Sequence, residues 1–184
     1  MTKKYPGFLF AYLLCTFFGL GKIGKMPGTL GSLAALPIWL FIHMFFRVTL
    51  TYPLAVYFFW ICFLALLFVI GVLAAQILEE RTKSKDPSMI IIDEVVGQIM
   101  TLVLTEHILN EFLNYSCLDS LKFYGIFFLV NFVAFRIFDI FKPSFIGIID
   151  KKAKGGFGVM IDDVAAAIAA AIIINILALI FLSL

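Results

Sequence analysis

Five long apolar segments constrain the fold of this chain more than any other feature of its sequence. A helix that crosses a bilayer needs about 20 residues, and backbone groups inside lipid must bond to one another, which favours helices over open strands. With 63% hydrophobic and 14% charged residues, the chain is too apolar for a soluble or a disordered protein. We therefore predict an all-α, polytopic membrane helix bundle that forms one domain over residues 1–184. Its five membrane-embedded helices are expected at 29–46, 53–78, 89–107, 121–141 and 163–183.

A shorter apolar segment precedes these five. Residues 5–20 are too few for a full span, so we predict a short N-terminal helix that lies on the membrane or inserts half-way. A basic, glycine-rich loop follows it instead of a small-residue cleavage site, which indicates a retained segment rather than a secretory signal. Among the five long segments the third is the weakest lipid span, because Asp93 and Glu94 stand near its start.

The basic residues are distributed unevenly between the two ends of the spans. If the five spans alternate in direction, eleven of the 14 Lys and Arg residues fall on one side. Only Arg47 and Lys122 fall on the other side, and Arg136 lies inside the fourth span near the basic end. Because basic loops stay in the cytoplasm, we predict that the N-terminus and the loops at 79–88 and 142–161 are cytoplasmic and that the C-terminus is outside.

Six carboxylates from three separate segments collect at the same basic end. Charged side chains at membrane depth are costly, so these acids need partners or a polar cavity. One interpretation is structural, since acids at helix starts complement the helix dipole and Arg136 can pair with Asp139 three residues later. The other is a cation site, since oxygen ligands without His or Cys favour Mg²⁺. The six are Asp93, Glu94, Asp139, Asp150, Asp162 and Asp163, of which the last two are expected to open the fifth helix.

Two glycine-rich stretches lie beside these acids. In residues 22–32 glycines allow close backbone approach, and a helix that starts at about Thr29 would offer its N–H groups to a phosphate. The alternative is a helix cap after a Pro-Gly turn. Residues 155–158 suit a tight turn or a close backbone approach, the alanines that follow favour tight helix packing, and Gly97 would let another helix approach the acids. The candidate anion-binding residues of the first stretch are Lys22, Lys25, Gly28, Thr29, Gly31 and Ser32.

The two histidines, His43 and His107, are expected near the outer ends of their spans, away from the acids. This placement argues against phosphohistidine and Ser-His-Asp mechanisms and leaves metal-assisted chemistry on a phosphate. The basic residues are too few for a nucleic-acid binder. A divalent-cation transporter or channel is the alternative, because intramembrane acids would serve it equally well. Against that alternative, the outer half lacks acids that would complete a transport pathway, and the glycine-rich loop would have no role.

Four stretches carry these features in a fixed order: GKMPGTLGSLAALPIWL (24–40), IIIDEVVGQIMTL (90–102), FRIFDIFKP (135–143) and IIDKKAKGGFGVMIDDVAAA (148–167). Together they resemble the bacterial phosphatidylglycerophosphatase A family. The resemblance implies Mg²⁺-dependent hydrolysis of phosphatidylglycerophosphate to phosphatidylglycerol and inorganic phosphate, in phospholipid biosynthesis at the cytoplasmic face of the bacterial inner membrane. It implies a phospholipid substrate and membrane lipids as partners, and it leaves homo-oligomerisation open.

The resemblance also implies roles for individual residues. It places all six acids in the catalytic machinery, with the general base left open between Asp93 and Asp150. Lys25, the helix start near Thr29 and Arg136 would hold the phosphate oxygens. The family's motif blocks cover Lys25, Gly28, Thr29, Gly31, Ser32 and Arg136. The Mg²⁺ ligands that follow from it are Glu94, Asp139, Asp162 and Asp163.

Overall fold

All the regular secondary structure among the described residues is helical. The computed structural model describes residues 7–49, 53–115, 120–143, 146–149 and 153–183. Besides one turn of 3₁₀ helix at Leu20–Lys22 and a helical turn at 146–149, it contains α1 (Phe8–Cys15), α2 (Pro27–Thr49), α3 (Pro53–Thr82), α4 (Ile92–Tyr115), α5 (Ser120–Phe141) and α6 (Gly155–Leu182). The predicted all-α fold is confirmed.

The long helices divide into an outer set and one central helix. α2, α3, α5 and α6 are long and apolar enough to cross a membrane. α4 is of similar length but packs against all four of them, so polar side chains on it face protein rather than lipid. The weakness of the third predicted span therefore has a physical cause in its central position. The buried polar residues of α4 are Asp93, Gln98, Thr101, Thr105 and Glu106.

Long helices that are consecutive along the chain alternate in direction, as the sequence predicts. Contacts near both ends of the bundle show that α2, α4 and α6 run one way and that α3 and α5 run the other way. The alternation gathers the starts of α2 and α4, the ends of α3 and α5 and the first turns of α6 at one end, which we call the acidic end. The pairs that show this are Gly28–Glu94 and His43–Glu106 for α2 and α4, and Gly97–Phe135 and Thr105–Asn131 for α4 and α5. They are Gly97–Asp163 and Leu104–Asn175 for α4 and α6, and Gly71–Met160 and Gln76–Gly156 for α3 and α6.

The last helix begins earlier than the sequence indicates. α6 starts at Gly155 rather than at residue 163, so Asp162 lies two turns inside the helix and the helix-dipole interpretation of that acid is wrong. The physical reason lies in the glycines, which form the first turn of α6 and allow it to pack closely against α3. A Cβ on Gly156 would lie 2.0 Å from the backbone oxygen of Val72 in α3. The Gly156 N–H donates to Gln76 Oε1 at 3.0 Å, so the close-approach interpretation of this stretch is confirmed.

Alanines and the N-terminal helix complete the packing. Ala166, Ala167 and Ala170 are fully buried, in agreement with the predicted tight packing of this stripe. The N-terminal helix is shorter than the predicted 5–20, and α1 packs against α3. The carbonyl of Cys15 accepts a hydrogen bond from the Ile91 N–H at 2.8 Å, which ties the end of α1 to the segment that precedes α4.

Candidate active site

A cavity of about 260 Å³ lies at the acidic end of the bundle. Its walls come from the start of α2, the segment between α3 and α4, and the helices α4, α5 and α6. Asp150 lies outside the described residues, and the other five acids of the predicted site all line the cavity. The expectation that acids from separate segments meet is therefore confirmed for those five. The charged residues that line the cavity are Asp86, Asp93, Glu94, Arg136, Asp139, Lys142, Asp162 and Asp163.

Three of the carboxylates form a close cluster, which we call the trio: Asp93, Glu94 and Asp163. One oxygen of each lies within 4.8 Å of the others. Asp93 and Glu94 stand in the first turn of α4, and α6 brings Asp163 beside them. Gly97 makes this approach possible, since a Cβ there would lie 3.2 Å from the backbone oxygen of Asp163 and 2.7 Å from the ring of Phe135. The predicted role of Gly97 is thus confirmed.

The trio fits a hard cation. The atoms Asp93 Oδ1, Glu94 Oε2 and Asp163 Oδ2 are buried and have no hydrogen-bond partner among the described residues. Burial removes the hydration of such oxygens, and close carboxylates repel one another when both are ionised. A divalent cation bound by all three would offset both costs, and an all-oxygen donor set suits Mg²⁺.

The first turn of α2 presses directly against the trio. A Cβ on Gly28 would lie 2.1 Å from Glu94 Oε1 and 3.0 Å from Arg136 Nη1. Glycine is therefore required here for a close approach, but the anion that approaches is the carboxylate of Glu94. The positive end of the α2 dipole faces the same carboxylate, which favours its ionised form.

Two ion pairs hold further acids of the cavity. Arg136 Nη1 lies 2.6 Å from Asp139 Oδ2 on the same helix. Lys142 Nζ lies 2.5 Å from Asp162 Oδ2 and joins the end of α5 to α6. Each of these acids thus has a cationic side chain as its neighbour, unlike the unpartnered oxygens of the trio.

The predicted Mg²⁺ ligands and the trio have two members in common. Glu94 and Asp163 belong to both sets. Asp139 and Asp162 line the cavity but are engaged with Arg136 and Lys142. Asp93, one of the two predicted candidates for the general base, is the third member of the trio because it neighbours Glu94 on the first turn of α4.

The two lysines predicted to bind phosphate do not line the cavity. The Lys22 ammonium lies 4.9 Å from the centre of the Tyr12 ring, a cation–π contact. Lys25 is exposed. The geometry thus gives the anion-binding role predicted for these lysines no support.

The rest of the glycine-rich stretch contributes Gly28 alone to the cavity from the predicted set. α2 begins at Pro27, so Ser32 lies in its second turn and its hydroxyl donates to the carbonyl of Gly28 at 3.2 Å. Gly31 serves helix packing, because a Cβ there would lie 2.9 Å from the backbone oxygen of Ile91. Thr29 is half-buried and does not line the cavity. Of the residues predicted to bind phosphate, only Gly28 and Arg136 line the cavity, and Gly28 packs against the carboxylate of Glu94.

Sequence reasoning missed two charged residues of the cavity, Asp86 and Lys142. Lys142 lies within the stretch FRIFDIFKP, but its charge was counted only toward membrane orientation. Asp86 lies in a short polar loop, where an acid is usually solvated, and its N–H donates to Glu79 Oε1 at 2.6 Å. Two signals in the sequence were available: Lys142 lies three residues after Asp139, and Asp86 lies seven residues before Asp93.

A second buried polar group lies at the opposite end of the bundle. Glu106 is buried within α4 and pairs with His43 Nδ1. His43 Nε2 lies 3.1 Å from the hydroxyl of Tyr124, which also accepts a hydrogen bond from Arg47. These contacts join α2, α4 and α5 far from the cavity, so His43 has a structural environment.

The fold and the site define a class of protein: a polytopic helical membrane protein with a carboxylate-rich cavity, suited to hold a cation beside two basic side chains. The model of the phosphatidylglycerophosphatase A family matches residues 13–178. The chain therefore belongs to the phosphatidylglycerophosphatase A family, a family of phosphatase enzymes, as the four stretches of the sequence indicate.

Individual relatives support this assignment. A protein of Haemophilus influenzae named phosphatidylglycerophosphatase A is 37% identical over 163 residues, which cover 89% of this chain and 85% of that protein. Its namesake in Escherichia coli is 32% identical over 160 residues, with coverages of 87% and 78%. A Bacteroides thetaiotaomicron protein named "Putative phosphatidylinositol-3-phosphatase" is 34% identical over 175 residues, with coverages of 94% and 96%. No solved structure matches the chain.

Proposed function

We propose that this chain hydrolyses phosphatidylglycerophosphate to phosphatidylglycerol and inorganic phosphate, with Mg²⁺ as its cofactor. The observation that carries the proposal is the trio of Asp93, Glu94 and Asp163, whose unpartnered oxygens share one cavity with Arg136 and Lys142. Family membership and the names of two relatives support the substrate. Membership in a phosphatase family also favours an enzyme over the cation transporter.

The trio would hold the Mg²⁺ ion. When bound, the ion would supply positive charge against the phosphate dianion and would acidify a water molecule. The contribution of the chain is to place three carboxylates on two helices that cannot separate easily, because Gly97 brings α4 and α6 into contact. A rigid donor set favours the octahedral geometry of Mg²⁺.

Arg136 would orient the phosphate. Its guanidinium carries five N–H donors in a planar fork, and the pair with Asp139 holds that fork at the cavity wall. Gly28 keeps the first turn of α2 close, so the helix dipole adds to the positive potential on this side of the cavity. Both features are in place before substrate arrives, which is the condition for electrostatic stabilisation of the transition state.

Proton transfer falls to a carboxylate. Hydrolysis of a monoester requires a group that accepts a proton from water and a group that returns one to the leaving oxygen. His43, on α2, is buried at the other end of the bundle. His107 lies in the half of α4 that is far from the cavity. The acids of the cavity, and Asp150 beyond the described residues, therefore remain the candidates for the general base.

We place the cavity on the cytoplasmic side of the bacterial inner membrane. The acidic end also carries the basic side chains that flank α2, α3 and α6, and basic flanks stay in the cytoplasm. The relatives are bacterial proteins, which supports a bacterial membrane. A cytoplasmic cavity would meet a lipid whose head group projects from the inner leaflet.

The test is phosphate release by the purified protein from phosphatidylglycerophosphate, phosphatidylinositol 3-phosphate and phosphatidic acid, each with Mg²⁺ and with excess chelator. We expect turnover of phosphatidylglycerophosphate that needs Mg²⁺ and that Asp163→Asn abolishes. Glu111→Gln is the matched control, because this exposed acid lies at the distal end of α4. Exclusive turnover of phosphatidylinositol 3-phosphate would show that the substrate is the one in the name of the Bacteroides relative. Full activity in chelator would refute the requirement for Mg²⁺.

A further inference from the structure

We propose that Lys142 binds the phosphate of the substrate, a role that rests on the proposed function. Two of the three basic side chains that the sequence offered for this task, Lys22 and Lys25, do not line the cavity, whereas Lys142 does.

The backbone of Lys142 is fixed by the end of α5. Its N–H donates to the carbonyl of Phe138 at 3.0 Å, and its φ of +39° turns the chain away from the helix axis. Pro143 follows and cannot continue the helical hydrogen bonding. The hydrogen bond before it and the proline after it fix the backbone of Lys142, so its long side chain starts from a fixed position.

The ammonium group lies where the cavity meets a buried carboxylate. Lys142 Nζ is 2.5 Å from Asp162 Oδ2. The side chain of Lys142 is 30% exposed and that of Asp162 is 7% exposed, so the lysine is the member of the pair that faces the open space. An ammonium carries three N–H donors and can bind a carboxylate oxygen and a phosphate oxygen at the same time.

The charge balance of the cavity calls for such a group. Six carboxylates and two basic side chains line it, so a phosphate dianion would meet repulsion from most of the wall. Arg136 is one of the two basic groups and lies in α5, whereas Lys142 is the first residue after that helix, and both line the same cavity. Two cationic groups on one cavity wall can contact different oxygens of one phosphate-bearing head group.

The experiment measures binding of inorganic phosphate in the presence of Mg²⁺, by calorimetry on the purified protein. Lys142→Gln should weaken binding about tenfold, as expected for the loss of one hydrogen bond to a charged group. Lys142→Arg should keep most of the affinity, because it retains the charge. Lys83→Gln is the matched control, since this exposed lysine does not line the cavity.

A second comparison guards against misfolding, because Lys142→Gln leaves Asp162 as a buried charge. The double variant Lys142→Gln/Asp162→Asn removes both charges and is compared with Asp162→Asn alone. We expect the double variant to bind phosphate about tenfold more weakly than Asp162→Asn. Equal affinities would show that Lys142 only neutralises Asp162, and the proposal would be wrong. Phosphate binding needs no turnover, so failure of the wild type to hydrolyse phosphatidylglycerophosphate would overturn the proposed function separately.

Discussion

The close approach of Gly28 to Glu94 in the candidate site predicts the effect of one added methyl group. In Gly28→Ala, the new Cβ would lie 2.1 Å from Glu94 Oε1 and 3.0 Å from Arg136 Nη1. The carboxylate would have to retreat from 2.1 Å to the 3.4 Å of an ordinary contact, a shift of about 1.3 Å. The end of a side chain can move more easily than a backbone, so the displacement falls on the trio.

We expect this displacement to reduce turnover and to spare the fold. A misplacement of about 1 Å at a reacting centre costs about 10²-fold in rate. Overpacking costs about 1–3 kcal/mol of stability, and alanine recovers up to about 1 kcal/mol of that through its higher helix propensity. A packed bundle of five long helices should tolerate the remainder.

The assay is phosphate release beside a thermal melt in detergent. Gly125→Ala is the control, because a Cβ on this glycine of α5 meets nothing within 4 Å; it should keep wild-type turnover and melt at the wild-type temperature or slightly above. Gly28→Ala with near-wild-type turnover would refute the reasoning, since it would show that the position of Glu94 does not matter. A similar loss of turnover in Gly125→Ala would equally refute it.

Three further predictions concern the acids, the distal end and the orientation. Asp162→Asn and Asp163→Asn should each abolish phosphate release while the melting temperature stays near that of the wild type; wild-type turnover in both would reduce these acids to a structural role. His43→Phe should lower the melting temperature, because it leaves Glu106 buried without its partner at a cost of about 1–3 kcal/mol, yet turnover below melting should persist, and equal melting would contradict this. A cysteine at position 84, in place of Ser84, should resist an impermeant thiol reagent added to intact cells, and labelling from outside would reverse the proposed topology.

The helices were predictable because their determinants are local. Long apolar runs define α2, α3, α5 and α6, and acids within a fourth run mark α4 as the least lipid-like. The start of α6 was not predictable in the same way. Gly155–Gly158 are helical because they pack against Val72 and Gln76 of α3, and a contact between residues some 80 positions apart has no signature in the run itself.

The site shows the same division between local and tertiary information. The alternation of spans was sufficient to predict that five acids meet, and the i, i+3 spacing was sufficient to suggest the pair of Arg136 and Asp139. The assignment of Lys142 to Asp162 depends on where the chain turns after α5, which the sequence does not reveal. The partner of Glu106, His43, lies 63 residues away, so its burial also follows from the packing of α2 on α4.

The polar residues inside α4 have a consequence for how the protein is made. A charged residue at the centre of an isolated span costs about 2.5–3.5 kcal/mol on insertion, and α4 carries Glu106 well inside its length. His43, on α2, is synthesised before α4, but Asn131, which bonds to Thr105, arrives only with α5. When α4 leaves the ribosome, its hydrogen bonds with Asn131 of α5 and Asn175 of α6 do not yet exist. We expect α4 to wait beside the insertion machinery until α5 and α6 follow, so that the second half of the bundle enters lipid as a unit rather than helix by helix.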